Sequence, residues 1–116
     1  MRAFQRVLPS EQEILEKLSV LPVEVNRDDA TWVYEFEDAN HVKLRLVLEG
    51  VIGTIETQLL LNGKILSVVF QEGLTDISLS ENSITAGFRF KGAETVLQIT
   101  VSPNIEVNWS TMMRDI

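Results

Sequence analysis

Residues 55–70 read IETQLLLNGKILSVVF, two apolar runs on either side of Asn62-Gly63. That dipeptide accepts positive φ at both central positions of a type I′ turn, whose twist matches that of paired strands, so the stretch reads as a β-hairpin. A regular two-residue loop sets a register in which Leu61 faces Lys64, Leu59 faces Leu66, Thr57 faces Val68 and Ile55 faces Phe70, all on the core side. The other side carries Glu56, Gln58 and Ser67, but also Leu60, Ile65 and Val69. Half of that side is apolar, so another element or a second copy of the chain is expected to cover it, with Leu60, Ile65 and Val69 as a homodimer surface.

The period of two extends in both directions from the hairpin. Upstream, Trp32, Tyr34 and Phe36 alternate with Val33, Glu35 and Glu37, and Val42, Leu44, Leu46 and Leu48 alternate with Lys43, Arg45 and Glu49. These runs read as a second hairpin turning at Asp38-Ala39-Asn40-His41, in which Glu35 and Glu37 stand across from Lys43 and Arg45. Downstream, Ile77 and Leu79, then Ile84, Ala86, Phe88 and Phe90, then Leu97, Ile99 and Val101, then Ile105, Val107 and Trp109 continue the pattern between short polar turns. Gly87 within one of these runs marks a bulge or a close backbone approach. A short strand near Val23 and Val25 is the weakest of the set.

The one helical stretch lies at the N-terminal end. Phe4, Val7 and Leu8 are spaced to pack on one side, and Ser10 stands three residues before Glu13 as a capping box. Ile14, Leu15, Leu18 and Leu21 follow at helical spacing up to Pro22, which predicts a helix over 11–20. The fold class is therefore mainly β: an antiparallel meander of about eight strands over 23–109, barrel-like or two-layered, with one short N-terminal α-helix and a tail over 110–116. Connections of two to five residues permit antiparallel neighbours and exclude parallel crossovers.

The chain has 116 residues, enough for one domain with one core, and its 45% hydrophobic and 23% charged residues are globular values. It has no cysteine, which removes disulfide scaffolds, thiolate metal sites and cysteine nucleophiles. With no secretory h-region and no apolar run of membrane-spanning length, a soluble cytoplasmic protein is expected. A net charge of −7 argues against binding to nucleic acid or anionic membranes and points to a basic partner.

Three groups of residues bear on function. The single histidine, His41, stands with Glu35, Glu37 and Asp38 in EFEDANH, but the spacing matches no metal motif and there is no second histidine for a triad. No cofactor is implied and enzymatic function is disfavoured. Six acids, Glu24, Asp28, Asp29, Glu35, Glu37 and Asp38, stand against the single base Arg27 between positions 24 and 38, which suits a docking face for a basic protein. Trp32, Tyr34, Phe88 and Trp109 fall on alternating strand positions that pack a core or, in a barrel, line a cavity for one small apolar ligand. In size and charge the chain is similar to small bacterial immunity or adaptor proteins, and that resemblance implies a non-enzymatic module that neutralises a partner by covering its active surface. The alternative is a small-molecule-binding β-barrel.

Overall fold

The computed structural model describes residues 8–113, so Phe4 and Val7 lie outside it. Helix α1 (Glu11–Leu18) opens with the capping box: the Ser10 hydroxyl accepts from the Glu13 amide at 3.1 Å, and the Glu13 carboxylate accepts from the Ser10 amide at 2.8 Å. Two of the donors that a first turn leaves unpaired are thereby satisfied. The helix stops before the expected Val20 because Ser19 turns left-handed, with φ 59°, and returns its amide to the Leu15 carbonyl. Ile14 and Leu18 are buried, whereas Leu15 and Leu21 stay exposed, so the apolar stripe is narrower than its spacing predicts.

Nine antiparallel strands follow among the described residues: β1 (Glu24–Asn26), β2 (Thr31–Glu37), β3 (Val42–Glu49), β4 (Thr54–Leu61), β5 (Lys64–Glu72), β6 (Leu74–Ser80), β7 (Ser83–Phe90), β8 (Ala93–Thr100) and β9 (Glu106–Met113). They form two open sheets, in the orders β1-β2-β3-β4-β5 and β6-β7-β8-β9, and do not close into a barrel. Strand β9 runs on through residues 110–113, read above as tail, because Thr111, Met112 and Met113 keep pairing with Thr95, Glu94 and Ala93.

A single residue separates the sheets. Gly73 lies between the end of β5 and the start of β6 with φ +85°; its carbonyl accepts from the Arg89 amide at 2.9 Å, and the following Leu74 amide donates to the Gly53 carbonyl at 3.0 Å. A Cβ at this position would overlap the Arg89 carbonyl oxygen. The chain thus leaves one sheet for the other without a loop, through a backbone conformation that glycine adopts at no steric cost.

The central hairpin forms with the expected turn, Asn62 and Gly63 both having positive φ. Its register, however, departs from the regular one. Leu60 pairs with Ile65 but Leu59 pairs with Ser67, so Leu66 is an extra residue and every later pair moves by one. A one-residue slip exchanges the faces of a strand. Ser67, Val69 and Gln71 therefore turn inward, and Leu66, Val68 and Phe70, expected in the core, are 57%, 54% and 53% exposed. Val69 leaves the homodimer surface named above. A second bulge puts Thr75 between the pairs Leu74–Phe88 and Asp76–Gly87, and Gly87 marks it as its position in the sequence predicts.

The core fills the space between the sheets. Leu44, Leu46, Leu48 and Ile55 meet Ile84, Ala86, Phe88, Leu97 and Ile99, while Ile14 and Leu18 bring α1 against the same cluster. Each fully buried leucine or isoleucine contributes about 1.5–3 kcal/mol relative to exposure. The indole NH of Trp109 on β9 donates to the Thr57 hydroxyl on β4 at 3.1 Å, so the layers are joined by a polar contact as well as by packing.

Candidate partner-binding face

The pleat places Glu35, Glu37, Lys43 and Arg45 on the outer face of the five-stranded sheet, with Glu35 across from Arg45 and Glu37 across from Lys43 as predicted. Arg45 is the centre of this face. Its guanidinium donates to Glu35 at 2.9 Å and to Glu24 at 3.2 Å, which ties β3 to β2 and to the three-residue edge strand β1; Lys43 lies 3.9 Å from Glu35. The hydrogen bond it donates to Glu35 is the main reason the guanidinium is held even more firmly in its charged form. Half-exposed pairs of this kind contribute about 0.2–1 kcal/mol each, so their effect is on register more than on stability.

The six acids do not make one patch. Glu24 and Glu35 are engaged by Arg45. Asp29 closes the turn after β1, accepting from the Asn26 side-chain amide at 3.0 Å while its own amide donates back to Asn26 at 3.2 Å. Asp38 belongs to the scaffold: its carboxylate accepts from the backbone amides of Asn40 at 2.9 Å, Val42 at 3.1 Å and Ile105 at 2.8 Å. The bond from Ile105 is foremost in holding this carboxyl below the usual carboxylate range. Asp28 and Glu37 remain, exposed and without hydrogen bond or ion pair among the described residues. They stand near opposite ends of β2, a strand roughly 20 Å long.

His41 occupies the turn before β3 with φ 67° and donates its amide to the Asp38 carbonyl. Among the described residues no group of three or more histidines, cysteines or carboxylates is arranged to hold a metal ion.

The four aromatics do not gather round one cavity. Trp32 is half-buried and its indole NH donates to Glu11 at 2.7 Å; Glu11 also pairs with Arg27 at 3.1 Å, which ties the turn after β1 to α1. This unit borders an open cleft of about 640 Å³ whose walls include Leu8, Glu13 and Gly50. Phe88 and Trp109 pack against each other across β7 to β9, with ring centroids 5.6 Å apart. Tyr34, at 1% exposure, lies inside the core cluster.

Burial, and then the negative charge of Glu11, push the Tyr34 phenol up to about 12. A raised phenol pKa means that the folded state holds this proton more tightly than the unfolded chain. Its contribution is complete below about pH 10 and is lost as the pH rises toward 12. Tyr34 is the only tyrosine, so tyrosinate absorbance reports it alone. The expected titration is near 12 in the folded protein and near 10 in urea, and a folded-state midpoint near 10 would contradict this burial.

Sequence reasoning missed the Asp38 bridge to Ile105, the Trp32–Glu11–Arg27 unit and the exposed apolar stripe of β5. An Asx turn at Asp38 is legible in DANH, since aspartate bonds the amide two residues on. The other features join residues distant in the chain.

Neither a protein-family model nor a curated protein matches the chain. Among solved structures, a chain of the "Contact-dependent growth inhibition toxin - immunity protein complex from Klebsiella pneumoniae 342" superposes with a TM-score of 0.79 at 20% identity, over 90% of this chain and 95% of that one. The two chains share a fold. Since the likeness spans nearly the whole of both, it includes the two-sheet arrangement that positions the outer face.

Proposed function

We propose that this chain is a non-enzymatic protein-binding module of the immunity type, which neutralises a basic toxin domain by covering its active surface in the bacterial cytoplasm. The observation that carries the reading is the near-complete fold likeness to a chain of a toxin–immunity complex, in a protein of net charge −7. The complex holds two kinds of protein, and acidity favours the neutralising one. A single histidine and no cysteine also leave little for a catalytic toxin to work with.

Within that reading the docking residues are the acids of the Glu24 to Asp38 region, led by Asp28 and Glu37, whose charges no described residue neutralises. Their separation of about 20 Å fits within one interface of standard size, roughly 800 Å² per partner. Glu24 and Glu35 contribute through the network around Arg45, while Asp29 and Asp38 support the turns. The ligand-binding alternative lacks a closed barrel lumen to work with.

The test is growth rescue and binding with the toxin domain encoded beside this chain. Wild type is expected to restore growth. The double variant Asp28→Lys, Glu37→Lys is expected to weaken binding at least tenfold, mostly through slower, salt-sensitive association. Both positions are exposed, so its stability should stay within about 0.5 kcal/mol of wild type. Failure of wild type to rescue, or equal loss of binding and folding in the variant, would sink the proposal.

A further inference from the structure

Two turns stand at one end of the five-stranded sheet, the one that closes at His41 before β3 and the one at Asn62-Gly63 between β4 and β5, and a small open cleft of about 170 Å³ lies between them. Its lining continues a row on the outer face, where Glu37 pairs with Lys43 and Lys43 with Leu60. His41, Asn62 and Gly63 complete it beyond the strand ends. The volume is below the roughly 300–1,000 Å³ of small-molecule sites, so the cleft has room for a single side chain.

Three polar side chains line this space unengaged. Among the described residues Glu37, His41 and Asn62 make no side-chain hydrogen bond or ion pair. Lys43, directly across from Glu37, lies 3.9 Å from Glu35 instead, which leaves the Glu37 charge unneutralised. Glu37 offers a carboxylate, Asn62 an amide oxygen and a neutral His41 ring one bare nitrogen, while a lysine ammonium has three protons to donate and accepts none. Leu60 supplies an apolar wall of the kind along which a lysine stem packs while its head reaches polar groups. A net charge of −7 draws an occupant of the same sign.

We infer that this cleft is a socket for one lysine side chain of the basic partner, and that His41 makes its occupation pH-dependent. The inference rests on the docking reading above and adds to it the contact made at Glu37. The charged groups about the His41 ring are Glu37 on β2, Asp38 in its own turn and Lys43 on β3. The turn between β4 and β5 brings none, since Lys64 pairs with Leu61 on the other face. Histidine takes up its proton between about pH 5 and 8. A protonated ring has no bare nitrogen left and carries the same charge as the ammonium, so binding weakens as the pH falls through that range. Asp38, held below the usual carboxylate range chiefly by the Ile105 amide, stays ionised meanwhile.

Binding of the neighbouring toxin domain to wild type and to His41→Asn, at about pH 8 and at about pH 5.5, tests this. Asparagine tolerates the left-handed backbone of position 41 and does not titrate. Wild type is expected to lose about tenfold in affinity between the two conditions. In His41→Asn the ratio is expected to shrink toward the part that belongs to the toxin alone. Carbodiimide treatment of the wild-type complex, which joins a carboxylate to an amine in contact with it, is expected to link Glu37 to a toxin lysine, as peptide mass spectrometry would show. A toxin domain that binds wild type at neither pH would overturn the docking reading and the socket with it. A toxin that binds with the same pH ratio for both proteins, or whose lysines are linked to other acids and never to Glu37, would overturn the socket alone.

Discussion

Gly73→Ala is expected to destabilise the protein by roughly 2–4 kcal/mol, whereas Gly63→Ala, at the tip of the central hairpin, should cost only about 1 kcal/mol. The two glycines have nearly the same backbone, with φ +85° at Gly73 and +81° at Gly63, so a methyl group meets the same left-handed penalty at each. They differ in what surrounds them. Nothing lies within 4 Å of a Cβ at Gly63, while a Cβ at Gly73 meets the Arg89 carbonyl oxygen, with Phe90 Cβ a further 3.2 Å contact. Backbone is an unyielding neighbour, and here it is the backbone that accepts the corner into β7: displacing it strains the Arg89 amide bond to the Gly73 carbonyl as well. Urea midpoints of the two variants, measured with their m-values, give the comparison directly. Equal costs would mean that the corner relaxes freely and that the sheets are not held at Gly73.

That corner explains why alternation alone left barrel and two-layer folds undecided. Strand positions, turns and the helix cap are local features, and they appear in the structure nearly where the spacing puts them: Thr31–Glu37 is a strand, Asn62-Gly63 is the turn, and Ser10 with Glu13 is the cap. The division into sheets depends on a contact between Gly73 and Arg89, sixteen positions further along, which no periodicity records. The register of β5 was hidden for a different reason. Leu66, Val68 and Phe70 form the more apolar of the two faces, and transfer of apolar surface out of water argues for burying them. The bulge turns them outward and buries Ser67, Val69 and Gln71 in part instead. The acidic region was legible as composition but not as geometry: one residue of the six, Asp38, is consumed by the backbone, and two are shared with Arg45.

Asp38→Asn is expected to lower the Tm well beyond the small shifts that exposed substitutions cause, although aspartate and asparagine have the same shape. The carboxylate presents two acceptor oxygens: Oδ1 takes the Asn40 and Val42 amides, and Oδ2 takes the Ile105 amide. Asparagine has one acceptor. If its oxygen serves the turn, its NH2 group confronts the Ile105 amide, donor against donor, and the start of β9 loses its tie to the β2–β3 turn. If its oxygen serves Ile105, the turn loses two bonds. Either arrangement leaves partly buried donors unmatched, and that is the costly half of a broken hydrogen bond. The pH dependence carries the same argument with a definite sign. The carboxyl is held below the usual range, so its contribution is present above about pH 4 and is lost as the pH falls through the folded-state value. The stability gap between wild type and Asp38→Asn should therefore be full at neutral pH and narrow progressively below about pH 4. Glu37→Gln, one residue away and free of such bonds, should show no comparable gap at either pH. This pair of neighbours thus separates the two uses of acidity in this chain: Asp38 holds the sheets together, and a loss of partner binding on changing Glu37 with the Tm unmoved belongs to the docking face. A gap that stayed constant into acid would show that the amides are held by something other than the ionised carboxylate.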